Sequence, residues 1–369
     1  MNERPYRILF VARDDGGCGF FRCKQPAEFL KRAGLCDTQF VLNTPSNEQL
    51  FWADLVVMQE MGSVEASNLA SFMRKNKIPY VAEFDDYIFH ISPHNVSGYG
   101  AWNPATLFVH RSLELARGAA AITVSTNSLA RELFPYNDFV YVLPNYLDKE
   151  KWDIPLTRKN DDKIRIGWAG GNAHADDLRM ISKVIDKIVK EYKGKVIFET
   201  MGMTRQELAG VFPMKIQNEV CISCGYEGEL HHHFGESLDN YPLVLASMGW
   251  NIAVAPVIDN GFGNAKSDLK IKEYSALGLP IVASPVASYR EASEHGAYAL
   301  LANTFEEWYN IIKMLIEDTA YREEIAKENK AWSEQNWIQD NAKNIFEAYR
   351  QVILRVGITG GRLQDKKVL

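Results

Sequence analysis

Two doubly wound α/β domains are what this sequence predicts, and three observations carry the prediction. The chain has 369 residues, enough for two domains of ordinary size, each with its own core. Short β-branched runs alternate with helical patterns, the signature of mostly parallel sheets with helices on both faces. A unit of strand, glycine-rich turn and helix occurs twice, near the start of each half.

The first unit is Tyr6–Ala12, the turn Arg13–Gly19 (RDDGGCG) and a helix over Phe20–Ala33. Its Gly16-Gly17-Cys18-Gly19 spacing is not that of a dinucleotide fingerprint. Strands are then expected at Gln39–Asn43, Asp54–Gln59, Pro79–Phe84, Ala119–Ser125 and Phe139–Leu143, with helices at Val64–Lys75, Ala105–Arg117 and Thr126–Leu133. A charged segment, 149–162, reads as linker. The second unit is Lys163–Trp168, the turn Ala169-Gly170-Gly171-Asn172-Ala173-His174 and a helix over Asp176–Tyr192. Further strands are expected at Val196–Thr200, Val220–Ile222, Ile252–Pro256 and Pro280–Ser284, before a helical C-terminal region. The expected organisation is a first domain over 1–145, a linker over 146–162, a second domain over 163–335, a helix over 336–356 and a mobile polar tail over 357–369.

Composition narrows the function. The 41 basic and 47 acidic residues leave a net charge of −6, without the basic excess that marks nucleic-acid binding. No apolar run approaches the roughly 18–20 residues of a membrane span. The start, MNERPYRILFVA, reads as a first strand rather than a signal peptide, and five cysteines, an odd number, point to a reducing cytoplasm. Cys221-Ile222-Ser223-Cys224 with His231-His232-His233 has the look of a metal cluster. A lone C-x-x-C is weak, and strand cysteines followed by an exposed loop are the expectation, with no metal.

The most informative stretch is Gly261–Pro285, read as one helix capped by Asn264 and stopped at Gly278, leading into the strand. Lys266, Lys270 and Glu273, at i, i+4 and i+7, then share one helix face. Two cations at a helix N-terminus suit a phosphate or diphosphate, and a carboxylate one turn deeper suits a ribose or sugar diol. The same spacing also fits a solvated helix with a weak Lys270–Glu273 pair. A second cluster is the strand end Val81-Ala82-Glu83-Phe84-Asp85-Asp86, where carboxylates are costly unless they bind something, cap a helix or pair with an arginine. The long loop Tyr87–Trp102 carries His90, His94, Tyr99 and Trp102, side chains suited to an acceptor ring. Ser125, Thr126 and Asn127 sit where another strand meets a helix.

Gly261-Phe262-Gly263 followed by Glu273-Tyr274-Ser275-Ala276-Leu277-Gly278-Leu279-Pro280-Ile281-Val282-Ala283-Ser284 resembles the donor-binding segment of GT-B glycosyltransferases of the family-4-like group. Val142-Leu143-Pro144-Asn145-Tyr146-Leu147-Asp148 is similar to the group's interdomain signature, and the Asp85-Asp86 edge with Ala265–Lys270 (AKSDLK) resembles a subgroup common in bacteria and their phages. The resemblance implies two Rossmann-like domains facing across a cleft, and transfer of a UDP- or GDP-linked sugar to an acceptor hydroxyl, with retention. No cofactor or metal is implied, and donor, acceptor and oligomeric state are not readable. It further implies that Glu273 holds the ribose, and that the loop of Gly17 and Gly19 lies under the sugar and diphosphate. Gly170, Gly171 and His174, with Lys266, Ser267 and Lys270, would take the diphosphate, and the loop of Gly202 and the Gly225-Tyr226 turn the base. Asp85 or Asp86 stands where the group has a His-Asp pair facing the anomeric carbon, and His90, His94, Tyr99, Trp102 and Asn127 would face the acceptor. The group's first glutamate falls on Ala265. A glycan or lipid-linked acceptor, a modified base in phage DNA, an epimerase or phosphorylase of this architecture, and a non-catalytic sugar-nucleotide-binding module all stay open.

Overall fold

The computed structural model describes residues 4–59, 62–91, 99–100, 103, 105–212 and 230–357. Two six-stranded parallel sheets organise them. The first is built from β1 (Arg7–Ala12), β2 (Asp37–Leu42), β3 (Leu55–Gln59), β4 (Tyr80–Phe84), β5 (Ala121–Val124) and β6 (Val140–Val142), in the order β2-β1-β3-β4-β5-β6. The second comprises β7 (Ile164–Ala169), β8 (Val196–Met201), β9 (Leu230–His233), β10 (Ile252–Ala255), β11 (Ile281–Ala283) and β12 (Ala299–Leu301), in the order β12-β11-β10-β7-β8-β9. Central strands such as LVVMQ and YVAEF are buried along their whole length, which is why they read as apolar runs without alternation. In each sheet the chain reverses its direction of travel beside the first strand, β1 or β7. Ligands of doubly wound sheets sit at the carboxyl ends of strands flanking such a switch.

After β1 the chain enters one helical run: a turn at Gly17–Gly19, a π-helical turn at Phe20–Lys24, and the α-helix Gln25–Arg32. Pro26 has no N–H to give to the carbonyl one turn back, and the widened turn accommodates that loss. The turn delivers Arg22 into the interior, 4% exposed, where it meets Glu83 at 2.8 Å, Leu143 O at 2.5 Å and Asn145 Oδ1 at 2.8 Å. Arg22 thus ties three strand ends together.

The chain crosses between sheets twice, and the crossings lie side by side. Leu147 bridges Trp337, with Leu147 N–H donating to Asn336 O at 3.0 Å and Ile338 N–H to Leu147 O at 2.8 Å. After the second crossing, the helix Ile338–Arg355 lays Ile338, Ala342, Ile345, Tyr349 and Ile353 against Ile8, Phe10, Val57 and Val81 of the first sheet. The Tyr349 ring meets Phe10 edge-on at 5.7 Å.

Three expectations change. Gly261–Gly278 is not one helix but two, Gly261–Ala265 and Leu269–Ala276, with Lys266 extended between them. The cap of the first is Asn260, whose Oδ1 accepts from Gly263 N–H at 2.7 Å; Asn264 instead accepts from Ala287 N–H at 3.0 Å. His231–His233 are not an exposed loop but lie in edge strand β9, where His232 is fully buried and its Nδ1 bonds Thr200 Oγ1 at 2.9 Å. Strand β12 carries no strong sequence signal. The expected strand at Val220–Ile222, with Cys221 and Cys224, and the Gly225-Tyr226 turn lie outside the described residues, as do His94 and Trp102.

Candidate active site

Between the two sheets lies a cavity of about 370 Å³, lined from both. The first sheet contributes Gly17, Cys18 and Phe21 from the turn after β1, and Asp85 and Asp86 from the end of β4. The second contributes Gly170, Gly171 and His174 after β7, Met201 at the end of β8 with Gly202 after it, and the segment from Lys266 to Glu273.

The second-sheet wall is held to its strand by a buried bolt. Tyr274 OH accepts from Ala169 N–H at 3.0 Å, fixing the Leu269–Ala276 helix against the end of β7. This carries Lys270 to the turn, where Nζ donates to Ala169 O. Burial lowers the Lys270 pKa, against the pull of Glu273. Glu273, 5% exposed, accepts from Tyr241 OH at 3.1 Å; burial pushes its carboxyl up to about 7, opposed by Lys270. Gly202 has φ +102°, and a Cβ there would stand 2.8 Å from Gly170 O, so the two strand ends meet only because this residue is glycine. His174 Nδ1 lies 2.9 Å from Asp177 Oδ2, and Asp177 Oδ1 accepts from Ile258 N–H at 2.9 Å. Burial, then Lys266 and Lys270, hold the His174 pKa down to about 4.

On the first-sheet wall the carboxylates are treated differently. Glu83 is fully buried against Arg22 and accepts from the Thr123 hydroxyl. Asp85, 8% exposed, accepts from Asn145 Nδ2 at 3.0 Å, and its carbonyl accepts from Ser125 Oγ at 3.0 Å. Asp86 is the more open of the pair and faces Lys266 Nζ across the cleft at 4.0 Å. Removal from bulk water raises its pKa, with Lys266 opposing and Asp85 reinforcing.

No protein-family model matches this chain, and no curated protein matches it in sequence. Solved structures do match. Anabaena HepE in complex with UDP-glucose has a TM-score of 0.65 at 15% identity, covering 94% of this chain and 99% of that one. An α-glucosyltransferase in complex with UDP has a TM-score of 0.65 at 13% identity, covering 94% and 99%. Sucrose-phosphate synthase from Thermosynechococcus elongatus has 0.64 at 11% identity, covering 95% and 100%. The chain has the GT-B fold.

The GT-B cleft brings together most of the residues singled out in sequence: Asp85, Asp86, Lys266, Ser267, Lys270, Glu273, Gly170, Gly171, His174, Gly17 and Gly202 all line the one cavity. Five do not come to it or bring less than expected. Gly19 is buried behind the turn; a Cβ there would lie 1.9 Å from Asp14 O, so its glycine serves the turn's packing. The Gly170 N–H is given to Met201 O at 2.9 Å, which withdraws that donor from any anion. His90 stacks on Tyr87 at 5.7 Å and packs beside Gly261, closing the domain contact rather than lining the cavity. Asn127 donates to Glu291 and lines a separate interdomain crevice, and Tyr99 is half-buried away from the cavity. Ala265, where the resemblance expects a glutamate, is fully buried among first-domain core residues, its carbonyl accepting from Thr126 Oγ1 at 3.0 Å.

Sequence reading missed Tyr241, Asp177 and Asn145. Tyr241 and Asn145 join the site only through tertiary contacts. Asp177 left a signal, the His-x-x-Asp spacing at i, i+3 on a helix N-terminal turn. Among the described residues no group of three or more His, Cys, Asp or Glu is arranged to hold a metal ion, and no helix is long and apolar enough to cross a membrane.

Proposed function

We propose that this protein is a glycosyltransferase that moves a sugar from a nucleoside-diphosphate donor to an acceptor hydroxyl in the interdomain cleft. One observation carries the reading: Lys266, Lys270 and Glu273 converge on a cavity whose opposite wall presents Asp86. Cations that face a cavity from one wall suit a diphosphate, and a buried carboxylate with one oxygen engaged suits a ribose diol. The structural neighbours crystallised with UDP or UDP-glucose support the same donor class.

In this reading Lys266 and Lys270 hold the diphosphate and stabilise the charge that develops as the glycosidic bond breaks, the main catalytic contribution. Ser267, Gly171 and Gly17 contact the diphosphate and sugar, Glu273 holds the ribose, and Gly202 borders the base. Asp86, the more open carboxylate, takes the acceptor proton or steadies positive charge at the anomeric carbon, while Asp85 is held by Asn145 behind it. The enzyme is family-4-like, cytoplasmic, retaining and metal-independent, acting on a glycan or glycoconjugate. A panel of nucleotide sugars tests the reading: one of them should raise the melting temperature by mass action and turn over with acceptor. Conversion of donor without acceptor would make the protein an epimerase, and binding without turnover a non-catalytic module.

A further inference from the structure

Asp177 is buried at the first turn of the helix Ala175–Glu191, and both of its oxygens are engaged. Oδ1 is fixed by the Ile258 N–H and Oδ2 faces His174 Nδ1, each at 2.9 Å. A carboxylate held this way keeps a proton on Nδ1 and fixes the plane of the ring. Nε2 is then the nitrogen available to the cavity that His174 lines, beside Lys266 and Lys270. The charged groups around the ring are Asp177 from its own helix, Lys266 and Lys270 from the opposing segment, and Asp86 from the end of β4, with Arg13 beyond it.

Such a ring cannot neutralise an anion while the cavity is empty, because burial, and then two lysines that resist a third positive charge, hold its pKa down to about 4. A diphosphate between them reverses the balance. Its negative charges offset the lysines, and Asp177 remains behind the ring to support an imidazolium.

We propose that His174, positioned by Asp177, takes up a proton at Nε2 when the donor diphosphate binds and gives it to the leaving diphosphate. The inference rests on the donor reading above. In the step, the bond from the anomeric carbon to the diphosphate oxygen breaks and its electron pair stays on that oxygen. The Nε2 proton passes to the diphosphate, leaving neutral imidazole, and the acceptor hydroxyl forms the new bond while its proton leaves through Asp86. His174 is thereby a catalytic acid rather than a standing cation, and Asp177 is a positioning residue.

The test is calorimetry with UDP and GDP as probes, in buffers of different ionisation enthalpy, between pH 6 and 8. Native protein should take up more than half a proton per nucleotide at pH 7. Its affinity should weaken as pH rises, by a factor approaching tenfold per pH unit beyond the change shown by His174→Gln, since one linked proton gives that slope. The probe's own ionisation is common to both proteins. His174→Gln should bind with little uptake, and Asp177→Asn, with the fold checked by its melting curve, should show reduced uptake at pH 7. Binding to the native protein without uptake, or uptake unchanged in His174→Gln, overturns this inference and leaves the donor reading standing. Failure of both nucleotides to bind overturns both.

Discussion

Two buried glutamates, Glu83 and Glu273, face each other in role across the GT-B cleft. Both are almost inaccessible, and burial pushes both carboxyls up to about 7. Their surroundings differ. Glu83 has Arg22 at 2.8 Å and the Thr123 hydroxyl, so its charge is answered within the protein. Glu273 has one phenol, Tyr241, at 3.1 Å and lines a cavity. The same contrast holds for whole walls: Asp85 is bonded to Asn145, whereas Lys266 has an anionic partner no nearer than 4.0 Å. A buried charge satisfied by the fold belongs to the architecture, and one left incompletely satisfied beside a cavity is completed by what enters it.

The contrast can be broken by substitution. The largest effect is expected at the β4 end. Asp86→Asn should lower transfer by about 10²–10⁴-fold, the usual worth of a general base, with melting temperature and nucleotide affinity retained. Asp85→Asn should mainly cost stability, about 1–3 kcal/mol, because it removes a buried negative charge that offsets Arg22 and sets an amide N–H beside the Asn145 amide. Wild-type transfer in Asp86→Asn would move the chemistry elsewhere in the cleft.

Next come the two glutamates themselves, for which one substitution should act with opposite signs. Glu83→Gln leaves the buried Arg22 guanidinium without its anion and should destabilise by about 3–5 kcal/mol in urea unfolding at pH 8. That cost, absent at Glu273 with no arginine beside it, outweighs the relief of the carboxylate's own burial. Glu273→Gln at the same pH should stabilise by about 1–2 kcal/mol while weakening nucleotide binding. The sign follows from linkage: the folded carboxyl titrates near 7 against an ordinary 4.5, so the folded state holds more protons between those values. That contribution is full below pH 4.5 and is lost as pH rises through 7, and Glu273→Gln should flatten this part of the stability profile. Equal destabilisation by both substitutions would erase the distinction between architecture and site.

Smaller still, Lys266→Ala should weaken nucleoside diphosphate binding by about 1–3 kcal/mol in calorimetry, the worth of a charge-assisted contact. Unchanged affinity would refute its role. The smallest expected effect is that of exhaustive chelation, which should leave the transfer rate unaltered because lysines stand where a cation would. Loss of turnover restored by zinc would reopen Cys221, Cys224 and the β9 histidines.

Sequence alone determined the fold and most of the cavity's residues. Strand ends followed by glycine turns, Arg13–Gly19 and Ala169–His174, are local chemistry, and in parallel sheets such ends are where ligands bind. Lys266, Lys270 and Glu273 were legible because their spacing is close to a helical period, even though the helix breaks at Lys266 and its caps differ from those expected. What tertiary structure decided was every partnership across the chain. That Arg22 would be interior, that Asn145 would claim Asp85 while Asp86 faces Lys266 across the cleft, and that His90 and Asn127 would serve domain contacts could not be read locally. Each depends on residues between about 60 and 180 positions away, such as Glu83 for Arg22, Gly261 for His90 and Lys266 for Asp86. A side chain's own type states what it can bond to; only the packed fold states what is within 3 Å of it, and that decides whether a charge is structural or waits for a ligand.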